Sequence, residues 1–267
     1  MGDRVPFEAM RGHGQSFENT VDKERAIWSA ISISLQVGSA RKLRDRGFTF
    51  WFLDANAGSG HNDFANVPGS PVVFHLAADR WLRGLRRCAF LCDINRDAIT
   101  HLSDRLGAWS SSSILLPYDN EEVLEVFAER IRSCENPRFA VGCIIADPNG
   151  YWYRNARGEG PPIKGLVKFA SEFPRIDIVL NLNARAYRLQ RGQGHGVLPP
   201  LEVLASLKKK YWLVRYTKHR GDHWLLAVGR NFETDPHSSL GFHRLDSEAG
   251  RAIMMLVEGG RQGDLAV

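Results

Sequence analysis

One pattern constrains this chain more than any other: five apolar runs, each too short for a helix, alternate with stretches whose apolar residues recur at helical spacing. The runs are "FTFWFLDA" (48–55), "RCAFLCDIN" (87–95), "SILLPYDN" (113–120), "RFAVGCIIADPNGYW" (138–152) and "IDIVLNLNA" (176–184). Between them lie "SPVVFHLAADRWLRGL", "RDAITHLSDRLGAW", "EEVLEVFAERIRSC" and "IKGLVKFASEF". Strands without polar alternation are buried on both faces, and strand–helix–strand units set such strands side by side in parallel. Two last runs, "YWLVRYT" and "HWLLAVGRN", are separated only by "KHRGD", which closes an antiparallel hairpin. The expected fold is therefore α/β, a doubly wound, mostly parallel seven-stranded sheet of Rossmann-like organisation with a C-terminal antiparallel hairpin.

Residues 1–20 are polar and glycine-rich and read as a flexible arm, with 21–267 as a single domain. Asn19 or Thr20 can cap a lead-in helix through "VDKERAIWSAISISLQVGSARKLRDRG", which places Ile27, Ile31 and Leu35 on one face and stops at Gly47. After the fifth run, "RLQRGQGHGVLPP" reads as a mobile connection and "LEVLASLKKK" as a short helix.

The 267 residues are ample for one buried core, and no stretch approaches the roughly 20 apolar residues of a membrane span. The first residues, "MGDRVPFEAMRGHG", lack the apolar centre of a signal peptide, so a cytoplasmic protein is expected. Cys88, Cys92, Cys134 and Cys143 form no metal-binding or disulfide pattern and read as buried thiols, with no metal expected. Lys and Arg outnumber Asp and Glu by 35 to 30, a mild excess that suits a polyanionic partner without specifying one.

Ligands of open α/β sheets sit beyond the carboxyl ends of the strands, and four strand ends carry residues fit to hold one. They are Asp54 with Ala55, Gly58 and Gly60, then Asp93, Asp119 and Asp147. In "DANAGSG" the second glycine is followed by His61, Asn62 and Asp63, so the Lys and Ser/Thr of a phosphate-binding loop are missing. The third glycine of a dinucleotide turn is missing too, and the nearby acids would repel pyrophosphate. A cationic nucleoside fits better, because bare glycine backbone allows close approach and the acids attract positive charge. Asp is also favoured at helix caps, the other use open to Asp54, Asp93 and Asp119.

On these residues the chain resembles the class I S-adenosylmethionine-dependent methyltransferases. The resemblance implies that Asp54, Ala55, Gly58 and Gly60 form the cofactor turn, that Asp93 accepts from the ribose hydroxyls, and that Asp119 meets the adenine amino group. It also accounts for the closing hairpin. "IIADPNGYW" resembles the fourth-strand motif of the members that methylate exocyclic amino groups of bases. There the acidic side chain and a following carbonyl accept from the target amine while an aromatic stacks on the extruded base. This implies Asp147, Pro148 and Tyr151 as catalytic residues, with Asn149 and Trp152 beside the substrate. Asn149-Gly150 replaces a second proline and makes a looser turn.

The chain is also similar to the three-Cys-motif partner proteins. The carrying residues are Lys23 in the lead-in helix, "NAGSG", "PGSPVVFHLA", Asp93, "DPNG", and "IVLNLNA" with Asn181 and Asn183.

A base-modifying enzyme must also grip a backbone. Arg154, Arg157 and Lys164 follow the fourth strand, and Arg185, Arg188 and Arg191 follow the fifth, so both basic segments should border the site. No histidine is assigned a catalytic role, since amine methylation demands no general base. The expectation is methyl transfer from S-adenosylmethionine to an exocyclic amino group, adenine N6 in DNA before RNA. The rivals are an RNA, small-molecule or protein acceptor, and a non-catalytic scaffold that binds nucleic acid or a protein partner.

Overall fold

The computed structural model describes residues 20–38, 47–62, 66–147, 162–192, 194, 197–219, 222–233 and 237–259. Its strands are β1 (Thr49–Asp54), β2 (His61–Asn62), β3 (Val67–Pro68), β4 (Arg86–Cys92), β5 (Ser113–Leu116), β6 (Val141–Ala146), β7 (Ile176–Asn183), β8 (Tyr211–His219), β9 (Asp222–Arg230) and β10 (His243–Arg244). Its helices are α1 (Thr20–Gly38), α2 (Ser70–Trp81), α3 (Arg96–Leu106), α4 (Asn120–Arg132), α5 (Ile163–Glu172), α6 (Ala184–Gly192), α7 (Pro200–Ser206) and α8 (Glu248–Glu258).

Eight strands form the main sheet in the order β10-β8-β9-β7-β6-β1-β4-β5, one strand more than expected. The run from β5 through β7 is parallel, and β9, β8 and β10 close it antiparallel. This is the doubly wound, mostly parallel Rossmann-like sheet with an antiparallel closure that the sequence predicts. The chain leaves β1 outward through β4 and β5, then returns to β6 on the other flank of β1. The crevice beyond the carboxyl ends of β1 and β6 is thus the topological switch point, where such sheets bind ligands.

Alternate strand residues feed two cores. Phe50, Phe52, Leu91, Cys143 and Ile145 point to the layer of α1, α2 and α3, where Phe74 stacks on Phe52 at 3.8 Å. Trp51, Leu53, Phe90, Ile144 and Leu180 point to the layer of α4, α5, α7 and α8, where Phe127 meets Trp51, Phe90 and Phe169. Burial on both faces is why the strands read as unbroken apolar runs. At the amino end of the sheet, Arg230 of β9 and Asp177 of β7 pair at 2.7 Å with side chains only 2% and 4% exposed.

The structure corrects the sequence reading in four places. "ARAYRLQRG" is helical, because its Ala, Arg, Leu and Gln favour helix more than the following glycines oppose it, and Ala184 and Tyr187 are buried. Helix α8 was not anticipated; Ser247 caps it by accepting from the Gly250 N–H, and Met254 and Val257 close the second core. Helix α1 is buried on nearly every side from Ala26 to Leu35, rather than along one stripe. Of the four free cysteines, Cys92 and Cys143 are buried but Cys88 and Cys134 are partly exposed. Residues 1–19 and 39–46 lie outside the described residues, and with them most of the expected arm and the end of the lead-in helix.

Candidate active site at the switch point

The glycine turn leaves β1 and is fixed from both sides. The Ala55 N–H donates to Ile145 O of β6 at 2.9 Å and the Ala57 N–H to Cys92 O of β4 at 2.7 Å, so the turn spans both neighbouring strands. Gly58 and Gly60 have φ of 58° and 76°, left-handed values that side chains resist. A Cβ on Gly60 would lie 2.6 Å from Leu102 Cδ1, and the Gly69 N–H donates to Gly60 O at 2.9 Å, which brings the start of α2 under the turn. Arg105 of α3 donates to Ser59 O and Ser59 Oγ, tying down the tip.

Asp93 anchors this turn directly. Its Oδ2 accepts from the Gly58 N–H at 3.0 Å and its Oδ1 from the Asn95 N–H at 2.8 Å. The helix cap expected as its other use falls instead to Asn95, whose side chain accepts from the Asp97 and Ala98 N–H groups. Asp119 is the N-cap of α4 and accepts from the Glu121 N–H at 2.9 Å.

Asp54 is wholly buried; its Oδ1 accepts from the Asn56 N–H at 3.1 Å, and the Ser70 side chain also hydrogen-bonds its carboxyl. Oδ2 is enclosed without a hydrogen-bond partner, as is the Asn56 Oδ1 two residues on. Burial pushes the Asp54 carboxyl up to about 7; the Ser70 side chain and the Asn56 N–H pull it down, and Asp147 and Asp93 add to the rise.

On the next strand end, Asp147 is held by two elements. Lys23 Nζ of α1 lies 2.8 Å from its Oδ2, and Asn181 Nδ2 of β7 donates to its Oδ1 at 2.7 Å. Thus Lys23, Asp147 and Asn181, far apart in sequence, form one cluster. Burial alone would lower Lys23, yet the carboxylates of Asp147, Glu24 and Asp54 carry it above its ordinary value. Glu24, which the sequence reading does not single out, belongs here too. Burial pushes it up to about 8 against the pull of Lys23, with Asp147 and Asp54 adding, and its Oε2 has no hydrogen-bond partner. Its position gave no signal, because an acid near the start of a helix is ordinary.

Strand order therefore sets out a row: Asp119 after β5, Asp93 after β4, Asp54 on β1, Asp147 after β6 and Asn181 on β7, with Lys23 and Glu24 reaching in from α1. Successive positions are spaced by the roughly 4.8 Å between strands, so the row can bind a ligand several groups long. Pro148, Asn149, Tyr151, Trp152, Arg154 and Arg157 lie outside the described residues. Lys164 is exposed at the start of α5 and Arg191 is exposed near the end of α6. Arg188 is engaged with the Tyr216 hydroxyl of β8 and lies against Gly259, which caps α8. Among the described residues no group of His, Cys, Asp and Glu side chains converges to hold a metal ion, and no helix is long and apolar enough to cross a membrane.

No family model matches the sequence, and no curated protein does. Solved structures do match in fold. A Legionella pneumophila protein of family model DUF519 superposes with a TM-score of 0.54 at 12% identity, covering 81% of this chain and 88% of that one. An rRNA methylase from Streptococcus thermophilus gives 0.39 at 12% identity over 71% and 92% of the two chains. A Streptococcus mutans protein in complex with SAH gives 0.40 at 10% identity over 73% and 97%. At 12% identity the likeness to the Legionella protein is one of fold.

Proposed function

We propose that this protein is an S-adenosylmethionine-dependent methyltransferase whose acceptor is an exocyclic amino group of a nucleic-acid base. The observation that carries the reading is the row of carboxylates at the switch point, with the enclosed Asp54 Oδ2 between the Asp93-anchored glycine turn and Asp147. A sulfonium donor bears positive charge that such a row attracts and a phosphate-bearing cofactor would not. The glycine turn would take the nucleoside, and Asp93 would take its ribose.

The sulfonium is an activated leaving group, so the protein's own work is positioning and charge placement. Asp147 follows β6, the strand beside that of Asp54, where it would face a methyl group presented from the turn. Lys23 and Asn181 use one lone pair on each of its oxygens, and the remaining pairs can accept the two hydrogens of an NH₂ group. That orientation directs the nitrogen lone pair at the methyl carbon. After transfer the nitrogen sheds a proton, which the Asp147 carboxylate can accept. Adenine N6 in DNA is the acceptor proposed first.

The test is incubation with labelled S-adenosylmethionine and plasmid DNA, tRNA or total protein in parallel, followed by nucleoside mass spectrometry. Label in N6-methyladenosine or another N-methylated base supports the reading, with the labelled pool separating DNA from RNA. Label confined to protein overturns the acceptor class, and a folded protein that fails to bind the cofactor overturns the enzyme.

A further inference from the structure

The stretch "SLKKKYW" (206–212) enters the sheet at the edge opposite the switch point, where β8 begins beside the end of β9 and where β7 and β6 have their amino ends. Its three lysines divide. Lys209 turns inward, its Nζ donating to Ile176 O at 2.7 Å and to Pro174 O at 3.3 Å, whereas Lys208 and Lys210 stay exposed. The Lys210 N–H donates to Asn231 Oδ1 at 2.7 Å and Asn231 Nδ2 to Pro174 O at 3.0 Å, which fastens the start of β8 to the residue before Arg175. Arg175 lies over Phe139, its Cζ 4.8 Å from the ring centre, and the exposed Arg138 precedes Phe139 just ahead of β6.

No carboxylate pairs with Lys208, Lys210, Arg175 or Arg138 among the described residues. Glu233 bears on Lys210 through its charge, and Asp246 is taken up by Arg244, so the edge keeps a surplus of positive charge. Two features go beyond a solvated basic face. Lys208 has a φ of 51°, a left-handed value that side chains resist, at the position after α7 where glycine is usual. Strain kept at an exposed lysine points to a use for its side chain. Phe139, beneath the Arg175 guanidinium, is 45% exposed.

A ligand with repeated negative charge and flat apolar faces between the charges matches this edge. In a single nucleic-acid strand, phosphates meet cations and an unstacked base meets an aromatic ring. We propose that the amino edge of the sheet, through Lys208, Lys210, Arg175 and Arg138 with Phe139 as a stacking platform, is a binding surface for single-stranded nucleic acid, separate from the switch-point site. From β8 to β6 the strand ends span about 14 Å, room for about four phosphates at the roughly 3.4 Å rise of a stacked strand. The surface lies a strand's length from Asp147, so it holds a segment remote from any base presented there.

The test is fluorescence anisotropy of the full chain with short labelled thymidine and uridine oligomers, without S-adenosylmethionine. Neither base carries an exocyclic amino group, so the switch-point site has no target in the probe, and failure here leaves the methyl-transfer reading standing. Lys210→Gln with Arg175→Gln should weaken binding about tenfold or more and flatten the logarithmic salt dependence by about 1.4, two phosphate contacts at about 0.7 each. Arg96→Gln with Lys168→Gln, which removes two charges elsewhere, should stay within about twofold at physiological salt, because distant charges are screened. Phe139→Leu should weaken binding about fivefold or more with the salt slope unchanged, since it removes stacking and no phosphate contact. Lys208→Gly should weaken binding while raising the thermal midpoint, because glycine adopts that backbone without strain.

Binding of either oligomer with these effects supports the surface. Equal losses from the two charge-removing pairs, or a Lys208→Gly protein that gains stability with no loss of affinity, would overturn it. So would a wild type that binds neither oligomer. A duplex of the same length bound more tightly than both would overturn the assignment to single strands.

Discussion

Lys23 Nζ and Asp147 Oδ2 are 2.8 Å apart, although one sits in the first turn of α1 and the other just beyond the end of β6. The contact ties the lead-in helix to the residue proposed to hold the acceptor amine. Both side chains are about one-tenth exposed, at 12% and 11%, so each would be costly to leave alone. Lys23→Met should destabilise the protein by about 3–5 kcal/mol, the cost of a stranded buried charge, and Lys23→Met combined with Asp147→Asn should recover most of it. Urea midpoints at constant slope measure both; a single variant as stable as wild type would show that the pair holds nothing in place.

The two raised carboxyls predict how stability depends on pH. Glu24 goes from an ordinary carboxyl value up to about 8, and Asp54 up to about 7, so the folded state binds these protons more tightly than the unfolded chain does. Their protonated forms fit the fold without penalty, and stability falls as pH rises from the unfolded values toward 8. His75 acts in the opposite direction lower down: burial depresses it to about 4, so its contribution is lost as pH falls below about 6.5. Comparing Glu24→Gln with wild type cancels the histidine. The variant's advantage in thermal midpoint should be small at pH 5 and largest at pH 8.5, equivalent to about 1–3 kcal/mol after allowing for the partial exposure of Glu24. A constant difference across that range would show that Glu24 titrates normally.

The glycine turn predicts a graded pair of substitutions. Gly60→Ala meets two costs, a left-handed φ of 76° and a Cβ 2.6 Å from Leu102 Cδ1. Gly107→Ala, after α3, meets backbone strain alone, at φ 49° and ψ −117°, with nothing within 4 Å of the new atom. Thermal unfolding should show Gly107→Ala costing about 1–3 kcal/mol and Gly60→Ala about 1–3 kcal/mol more, for the contact with Leu102. Only Gly60→Ala should also weaken cofactor binding, because it displaces the turn that Asp93 fixes. Equal costs would mean that Leu102 yields freely.

The sheet was legible because burial on both faces leaves an unmistakable apolar run at each parallel strand, as "FTFWFLDA" and "IDIVLNLNA" illustrate. The acids at Asp54, Asp93 and Asp147 were legible because a strand end followed by a turn is a local pattern. Helix α6 was missed because three later glycines, at 192, 194 and 196, outweighed the helix formers before them. Glu24 was missed for a different reason. What distinguishes it is an enclosed Oε2 under the influence of the carboxylates at two distant strand ends, and no local pattern encodes which acid near a helix start will be covered. The role of Asp93 in holding Gly58 is likewise a contact across 35 positions, visible only once β4 lies beside β1.

The opposite end of the sheet offers a contrast between stability and function. Arg230 Nη2 pairs with Asp177 Oδ2 at 2.7 Å in a fully enclosed position, and burial raises the Asp177 carboxyl even against the pull of that guanidinium. Lys209 lies close by, its Nζ donating to Ile176 O at 2.7 Å, and burial lowers it to about 8. Arg230→Met would strand Asp177, since Lys209 is already engaged by backbone carbonyls, and should cost about 3–5 kcal/mol. Arg230→Met with Asp177→Leu should restore most of the stability, because apolar groups of similar volume replace a buried pair with little loss. Asp177 lies at the amino end of β7 and Arg230 at the end of the antiparallel β9 beside it, a strand's length from Asp54 and Asp147. Folded Arg230→Met protein should therefore bind S-adenosylmethionine within about twofold of wild type, less than the tenfold that follows from about 1.4 kcal/mol. A large loss of affinity in the refolded double variant would show that the two ends of the sheet are coupled, and that the switch-point row is not a self-contained site.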